Sequence, residues 1–134
     1  MAEASPTARD DPRLDRVVPP AILVVDDERD IADALTDLLF EEGYAVCTAY
    51  DGQEALRLVR AEPPDLVLSD VMMPKVNGPA LIQRLRRDGY DLPVILMSAV
   101  YADVDLPGVR FIAKPFNLDH VLSVVERVLA DGIG

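Results

Sequence analysis

The chain has 134 residues, half of them hydrophobic and only 5% aromatic, with a formal net charge of −11. That length suits one domain with an aliphatic core of Leu, Val, Ile and Ala. The acidic balance argues against nucleic acid and anionic membranes as partners, because both require a basic surface. One cysteine, Cys47, rules out an internal disulfide or a cysteine-rich zinc site, and its apolar neighbours (Tyr44-Ala45-Val46) favour a small buried hydrophobe. No run approaches the ~20 apolar residues of a membrane span, and residues 1–20 lack the apolar core of a signal peptide. A cytoplasmic, reduced protein is expected.

Residues 1–20 mix Ala, Pro, Asp and Arg without periodicity and are expected to form a disordered arm ahead of a domain over 21–131, with 132–134 a short tail. The unbroken apolar run Ala21–Val25 is a first strand that ends on Asp26-Asp27. A helix over about Arg29–Glu42 follows, with Ile31, Leu35, Leu38 and Leu39 on one stripe and Gly43 as its stop. Tyr44–Ala49 is a second strand at or near an edge, and Asp51-Gly52 turns into a helix over Gln53–Ala61 that Pro63-Pro64 ends.

The third strand, Asp65–Ser69, delivers Asp70 at its carboxyl end. The third helix spans about Gly78–Asp88, with Leu81, Ile82 and Leu85 inward and Arg84, Arg86 and Arg87 on a solvated face. Pro93–Met97 is a fourth strand ending on Ser98, and Val109–Ala113 a fifth ending on Lys114-Pro115. The last helix covers Leu118 to about Ala130, capped by Asn117, with Leu118, Val121, Leu122, Val125, Val128 and Leu129 inward. Strand and helix alternate, so right-handed crossovers give a doubly wound α/β fold: a five-stranded parallel sheet with helices on both faces.

In a sheet of order 2-1-3-4-5, the ends of strands one and three flank the topological switch point. That order gathers Asp26, Asp27, Asp70, Ser98 and Lys114 in one crevice. Three carboxylates so close repel, and a hard divalent cation such as Mg²⁺ removes the conflict. With Lys114 the formal charge is then neutral, which suits a site where Asp70 acts as a nucleophile toward phosphorus.

Val24-Val25-Asp26-Asp27-Glu28, Leu68-Ser69-Asp70-Val71-Met72-Met73-Pro74 with Gly78, Ser98-Ala99 and Lys114-Pro115-Phe116 together resemble the receiver domain of two-component response regulators, over residues 21–131. The resemblance implies a flavodoxin-like receiver fold and a phosphorylation switch of the stand-alone type. A histidine kinase or histidine phosphotransfer protein would phosphorylate Asp70. Asp26, Asp27, Asp70 and the Met72 backbone carbonyl would hold Mg²⁺, with Asp26 acting mostly through water. Ser98 and Lys114 would grip the phosphoryl oxygens, Phe111 would be the switch aromatic, and Lys114-Pro115 would be cis. Phe111 has no hydroxyl, so its switching would be steric.

Rival chemistries fit less well. Flavin phosphate binding wants a Ser/Thr/Gly-rich loop where Asp26-Asp27-Glu28 stands; a haloacid-dehalogenase-type phosphatase wants Asp-x-Asp; and there is no Gly-rich P-loop. His120, the only histidine, reads as a solvent-facing or satisfied side chain. The alternatives kept are a Mg²⁺-dependent phosphohydrolase on the same fold and a receiver-shaped interaction module that never accepts phosphate.

Two departures from the family stand out. Only the ten residues Ala99–Gly108 separate Ser98 from the fifth strand, so the fourth helix of the family is shortened or missing. A remodelled signalling surface is expected there, with a mobile 99–108 loop that phosphorylation orders. Strand five and the last helix would be more exposed, and Val124 would widen that helix's apolar face for a dimer or a downstream protein; the chain is expected to be a monomer or weak homodimer. Second, Met72 and Val100 are apolar two residues after Asp70 and Ser98 and cannot orient water, so self-dephosphorylation should be slow. Since nothing follows Gly134, no output domain is expected.

Overall fold

In the computed structural model, residues 18–99 and 107–131 are described. The expected arm (1–20, except Val18–Pro20), the tail (132–134), Val100 and most of the 99–108 segment lie outside them. Five parallel strands, β1 (Ala21–Val25), β2 (Ala45–Ala49), β3 (Leu66–Asp70), β4 (Val94–Ser98) and β5 (Val109–Ala113), stand in the order β2-β1-β3-β4-β5. Among the described residues, four helices accompany them: α1 (Arg29–Glu41), α2 (Gly52–Ala61), α3 (Gly78–Arg87) and α4 (Leu118–Asp131).

Side chains alternate across the sheet, so each strand supplies both halves of the core. Ile22, Val24, Leu66, Leu68, Ile95 and Met97 pack with α1 and α4; Leu23, Val25, Val67, Val94 and Leu96 pack with α2 and α3. β3 and β4 are buried at every residue, as central strands covered on both faces must be.

Local chemistry sets the element ends. After α1 and after α3, Gly43 (φ +99°) and Gly89 (φ +92°) take the left-handed conformation. There the Tyr44 amide reaches back to the Leu39 carbonyl and the Tyr90 amide to Leu85, the glycine-closed helix stop. Asp51 caps α2 by accepting from the Glu54 amide at 2.7 Å, and Glu54 returns the favour to the Tyr50 amide at 2.9 Å. Asn117 accepts from the His120 amide at 3.0 Å at the start of α4, and His120 itself is exposed.

Some expectations need correction. β3 runs Leu66–Asp70, so Asp70 is itself in the strand; Asp65 stands just before it, its amide donating to the Ala21 carbonyl and its carboxylate accepting from the Ala21 amide, both at 2.7 Å. Cys47 is exposed: on an edge strand, the ten-residue α2 leaves the Ala45–Cys47 side of β2 uncovered. Val124 is buried among the α1–α4 core residues, so it does not offer an apolar docking face. Leu118, at the first turn of α4, is exposed where an inward side chain was expected. Arg86 is half-buried and donates to the Pro107 carbonyl, tying α3 to the start of the β5 segment, while Arg84 and Arg87 are solvated.

Candidate functional site

The sheet ladder continues one residue past three strand ends and thereby fixes the site. The Asp26 amide donates to the Ala49 carbonyl, the Val71 amide to Met97, and the Lys114 amide to Ser98 at 2.9 Å. Asp26, Asp70, Ser98 and Lys114 thus stand side by side at the carboxyl edge, where open α/β sheets keep their chemistry.

Asp26, Asp27 and Asp70 each offer a carboxylate oxygen within 4.8 Å of the others. Asp26 and Asp70 are buried and Asp27 is exposed, which leaves the cluster open to solvent on one side. Lys114 Nζ lies 3.3 Å from Asp26 Oδ2, 3.2 Å from Asp70 Oδ1 and 3.8 Å from Glu28 Oε1. The Asp26 carboxylate also accepts from the Glu28 amide at 3.0 Å. Ser98 is buried at the neighbouring strand end. Met72, two residues past Asp70, is 60% exposed. Phe111 is half-buried on the α2–α3 side of β5. The Lys114-Pro115 bond is cis.

Glu28 is the member that sequence reasoning missed. It was visible only as the residue after the acidic pair; nothing in the sequence places an exposed glutamate within reach of an ammonium 86 residues on.

Electrostatics make the site short of positive charge. Burial, then repulsion from Asp70, pushes the Asp26 carboxyl up against the Glu28 amide and Lys114, which pull it down. Burial likewise raises Asp70; Lys114 opposes it and Asp27 adds to it. Burial presses Lys114 downward, but Asp26 and Asp70 outweigh it and the ammonium ends up held above its ordinary value. One ammonium therefore faces more carboxylate than it balances, and an oxygen-lined, solvent-open acidic cluster suits a hard divalent cation. A carboxylate with a raised pKa costs stability above its folded pKa and none below its unfolded one. In metal-free buffer, Asp70→Asn should therefore stabilise the protein near neutral pH by about 1 kcal/mol, and the gain should fade as pH falls toward 4. Urea melts of both proteins at neutral and acidic pH check this; equal midpoints at neutral pH would refute it.

The loop after Asp70 is held tightly. Lys75 takes a positive φ of 69°, and Val76 packs into the core beside Gly52. The Gly78 amide donates to the Val71 carbonyl at 2.9 Å, bringing the start of α3 against the end of β3.

Comparison with known proteins agrees with this geometry. The response regulator receiver domain profile matches residues 22–126. Response regulator MprA of Mycolicibacterium vanbaalenii is 37% identical over 118 residues, which cover 84% of this chain and 51% of that protein. Response regulator GtcR of Aneurinibacillus migulanus is 42% identical over 115 residues, 81% of this chain and 46% of the relative. Among solved structures, the receiver domain of NtrX from Brucella abortus superposes with a TM-score of 0.71 at 33% identity, covering 83% of this chain and 99% of that one. The chain belongs to the response regulator receiver domain family of two-component signalling. It spans about half the length of the curated relatives it matches. Among the described residues, no helix is long and apolar enough to cross a membrane.

Proposed function

We propose that the chain is the phosphoacceptor of a two-component relay, with Asp70 as the residue that takes the phosphoryl group. The observation that carries this is the buried Asp70 carboxylate, set 3.2 Å from the Lys114 ammonium and within 4.8 Å of Asp26 and Asp27. A carboxylate oxygen of Asp70 attacks the phosphorus of a phosphohistidine on a histidine kinase or phosphotransfer protein. The P–N bond breaks, the imidazole leaves, and an acyl phosphate remains on Asp70.

Lys114 is placed to pair with the new phosphoryl oxygens in exchange for the carboxylate it holds, and Ser98, next to it in the ladder, to donate its hydroxyl to them. Asp26, Asp27, Asp70 and the Met72 carbonyl would hold Mg²⁺, whose charge offsets that of the incoming phosphoryl oxygens. Asp26 already meets Lys114 and the Glu28 amide, consistent with contact to the metal mostly through water. Phe111 would respond by repacking alone, since it has no hydroxyl. The downstream partner is a protein that reads this change, and the setting is the cytoplasm, where kinases have ATP.

Acetyl phosphate with Mg²⁺ tests the proposal. One phosphoryl group per chain is expected, absent in Asp70→Asn. Continuous phosphate release would indicate a phosphohydrolase, and no label an inert module. The acyl phosphate should last for minutes or longer because Met72 supplies no hydrogen-bonding group to an attacking water. Release of label from purified phosphoprotein within seconds at neutral pH would overturn that expectation.

A further inference from the structure

The two edges of the sheet are guarded differently. β5 carries Arg110, a charge of the kind that discourages strand pairing. β2 has no such guard: from Gly43 to Ala49 there is no charge, no proline and no bulge, in a chain of net charge −11. Among the described residues no strand pairs with its outer side.

Hydrogen-bond parity shows what that side offers. The Ala45 amide donates inward to the Pro20 carbonyl, and the Ala49 carbonyl accepts inward from the Asp26 amide. In a parallel ladder alternate residues turn both backbone groups to the same neighbour, so Ala45, Cys47 and Ala49 face β1. Val46 and Thr48 then direct both their amides and carbonyls outward. These two residues flank Cys47 symmetrically. An antiparallel copy of the strand, related by a two-fold axis at Cys47, would pair Val46 with Thr48 twice over and satisfy all four outward groups.

The flanks fit the same partner. Two helices about 10 Å across cover each face of a sheet about 24 Å wide, so they need not overhang the edge. Thr36 of α1 bonds Thr48 at 2.8 Å, which identifies the flank of α1 that lies over β2. Phe40, one turn further on that flank, is 70% exposed. It is an apolar group beside the unguarded strand; Asp37, one turn back, shares its face of the helix, and Glu41 lies around the helix from it.

We propose that β2 is a homodimerisation edge: two copies join antiparallel through Val46 and Thr48, with Cys47 opposite Cys47 at the dyad. The surface is distinct from the phosphoacceptor site at the strand ends. Opposed residues that are not hydrogen-bonded to each other sit about 4.5 Å apart at Cα, within disulfide range. The single cysteine of the chain thus reports the register. With diamide as oxidant, two thiols give up two hydrogens and form one intermolecular S–S bond.

Rapid cross-linking is expected for the wild type. In Cys47→Ser/Ala45→Cys, the two new thiols would lie about 13 Å apart along the ladder, and cross-linking should be at least roughly tenfold slower. Sedimentation equilibrium under reducing conditions gives the measurement without the covalent bond. Cys47→Ser should keep the dimer, and Cys47→Lys should raise its dissociation constant at least roughly tenfold by setting like charges opposite each other. Both substitutions fall on an exposed side chain, and circular dichroism verifies their folds. Equal cross-linking rates at positions 45 and 47, or a Cys47→Ser protein that stays monomeric into the millimolar range, would overturn the proposal.

Discussion

Replacing Lys114 with Met should destabilise the metal-free protein by about 3 kcal/mol near pH 8, a drop in melting temperature on the order of 10–20 °C. Lys114 is the ammonium that meets both buried carboxylates, at 3.3 Å from Asp26 and 3.2 Å from Asp70. Methionine keeps the length of the side chain and its packing, so the loss isolates the charge. Without it Asp26 and Asp70, both already pushed up by burial, would rise further.

The sign of the pH dependence follows. Carboxylates with raised folded pKa values bind protons in the native state that the unfolded chain has already released, so stability falls as pH rises through that window. Lys114 behaves oppositely: its contribution is complete below about 10.4, the unfolded value, and is lost only above its folded one. Between pH 5 and 8 the wild-type ammonium is therefore constant, and the deficit of Lys114→Met should grow steadily with pH. Denaturant melts at pH 5, 6, 7 and 8 with a chelator check it, and a pH-independent deficit would refute the account. Adding Mg²⁺ should recover part of the loss, because a ligand bound only to the folded state stabilises it by mass action.

The strand ends were easy to read because an unbroken apolar run that stops on a polar residue has few other meanings. Asp26, Asp70, Ser98 and Lys114 stand together as their spacing and the 2-1-3-4-5 order imply. What the sequence hid were the consequences of distance and coverage. Cys47 sits in as apolar a context as any core residue, but its strand is at an edge and its facing helix is short. Val124 looked like surplus apolar surface, yet it is buried in the core between α4 and the sheet. Glu28 reaches Lys114 only because β1 and β5 end at the same edge of the sheet. Asp65 meets the Ala21 amide with its carboxylate and the Ala21 carbonyl with its own amide, contacts 44 residues away that no local pattern signals.

Gly78→Ala should cost about 2–3 kcal/mol, the upper part of the range for forcing a methyl group into packed space. A Cβ at Gly78 would lie 2.7 Å from the Asp70 carbonyl oxygen, 2.9 Å from Leu96 Cδ2 and 3.1 Å from Val71 Cα. The leucine methyl can turn away, but the backbone of Asp70 and Val71 cannot yield without moving the end of β3. The effect therefore reaches the site: the Asp70 carboxylate shifts relative to Asp26 and Lys114, and Mg²⁺ should bind more weakly. Gly43→Ala supplies the contrast. A Cβ there meets nothing within 4 Å, so only the left-handed backbone (φ +99°) resists it, at about 1 kcal/mol. Thermal melts and Mg²⁺ titrations of both variants separate crowding from backbone conformation. Gly43→Ala should keep wild-type Mg²⁺ affinity while Gly78→Ala loses it, since only the second glycine lies against the strand end that carries Asp70. Matching metal affinities in the two variants would mean that the tight contact at Gly78 does not position Asp70.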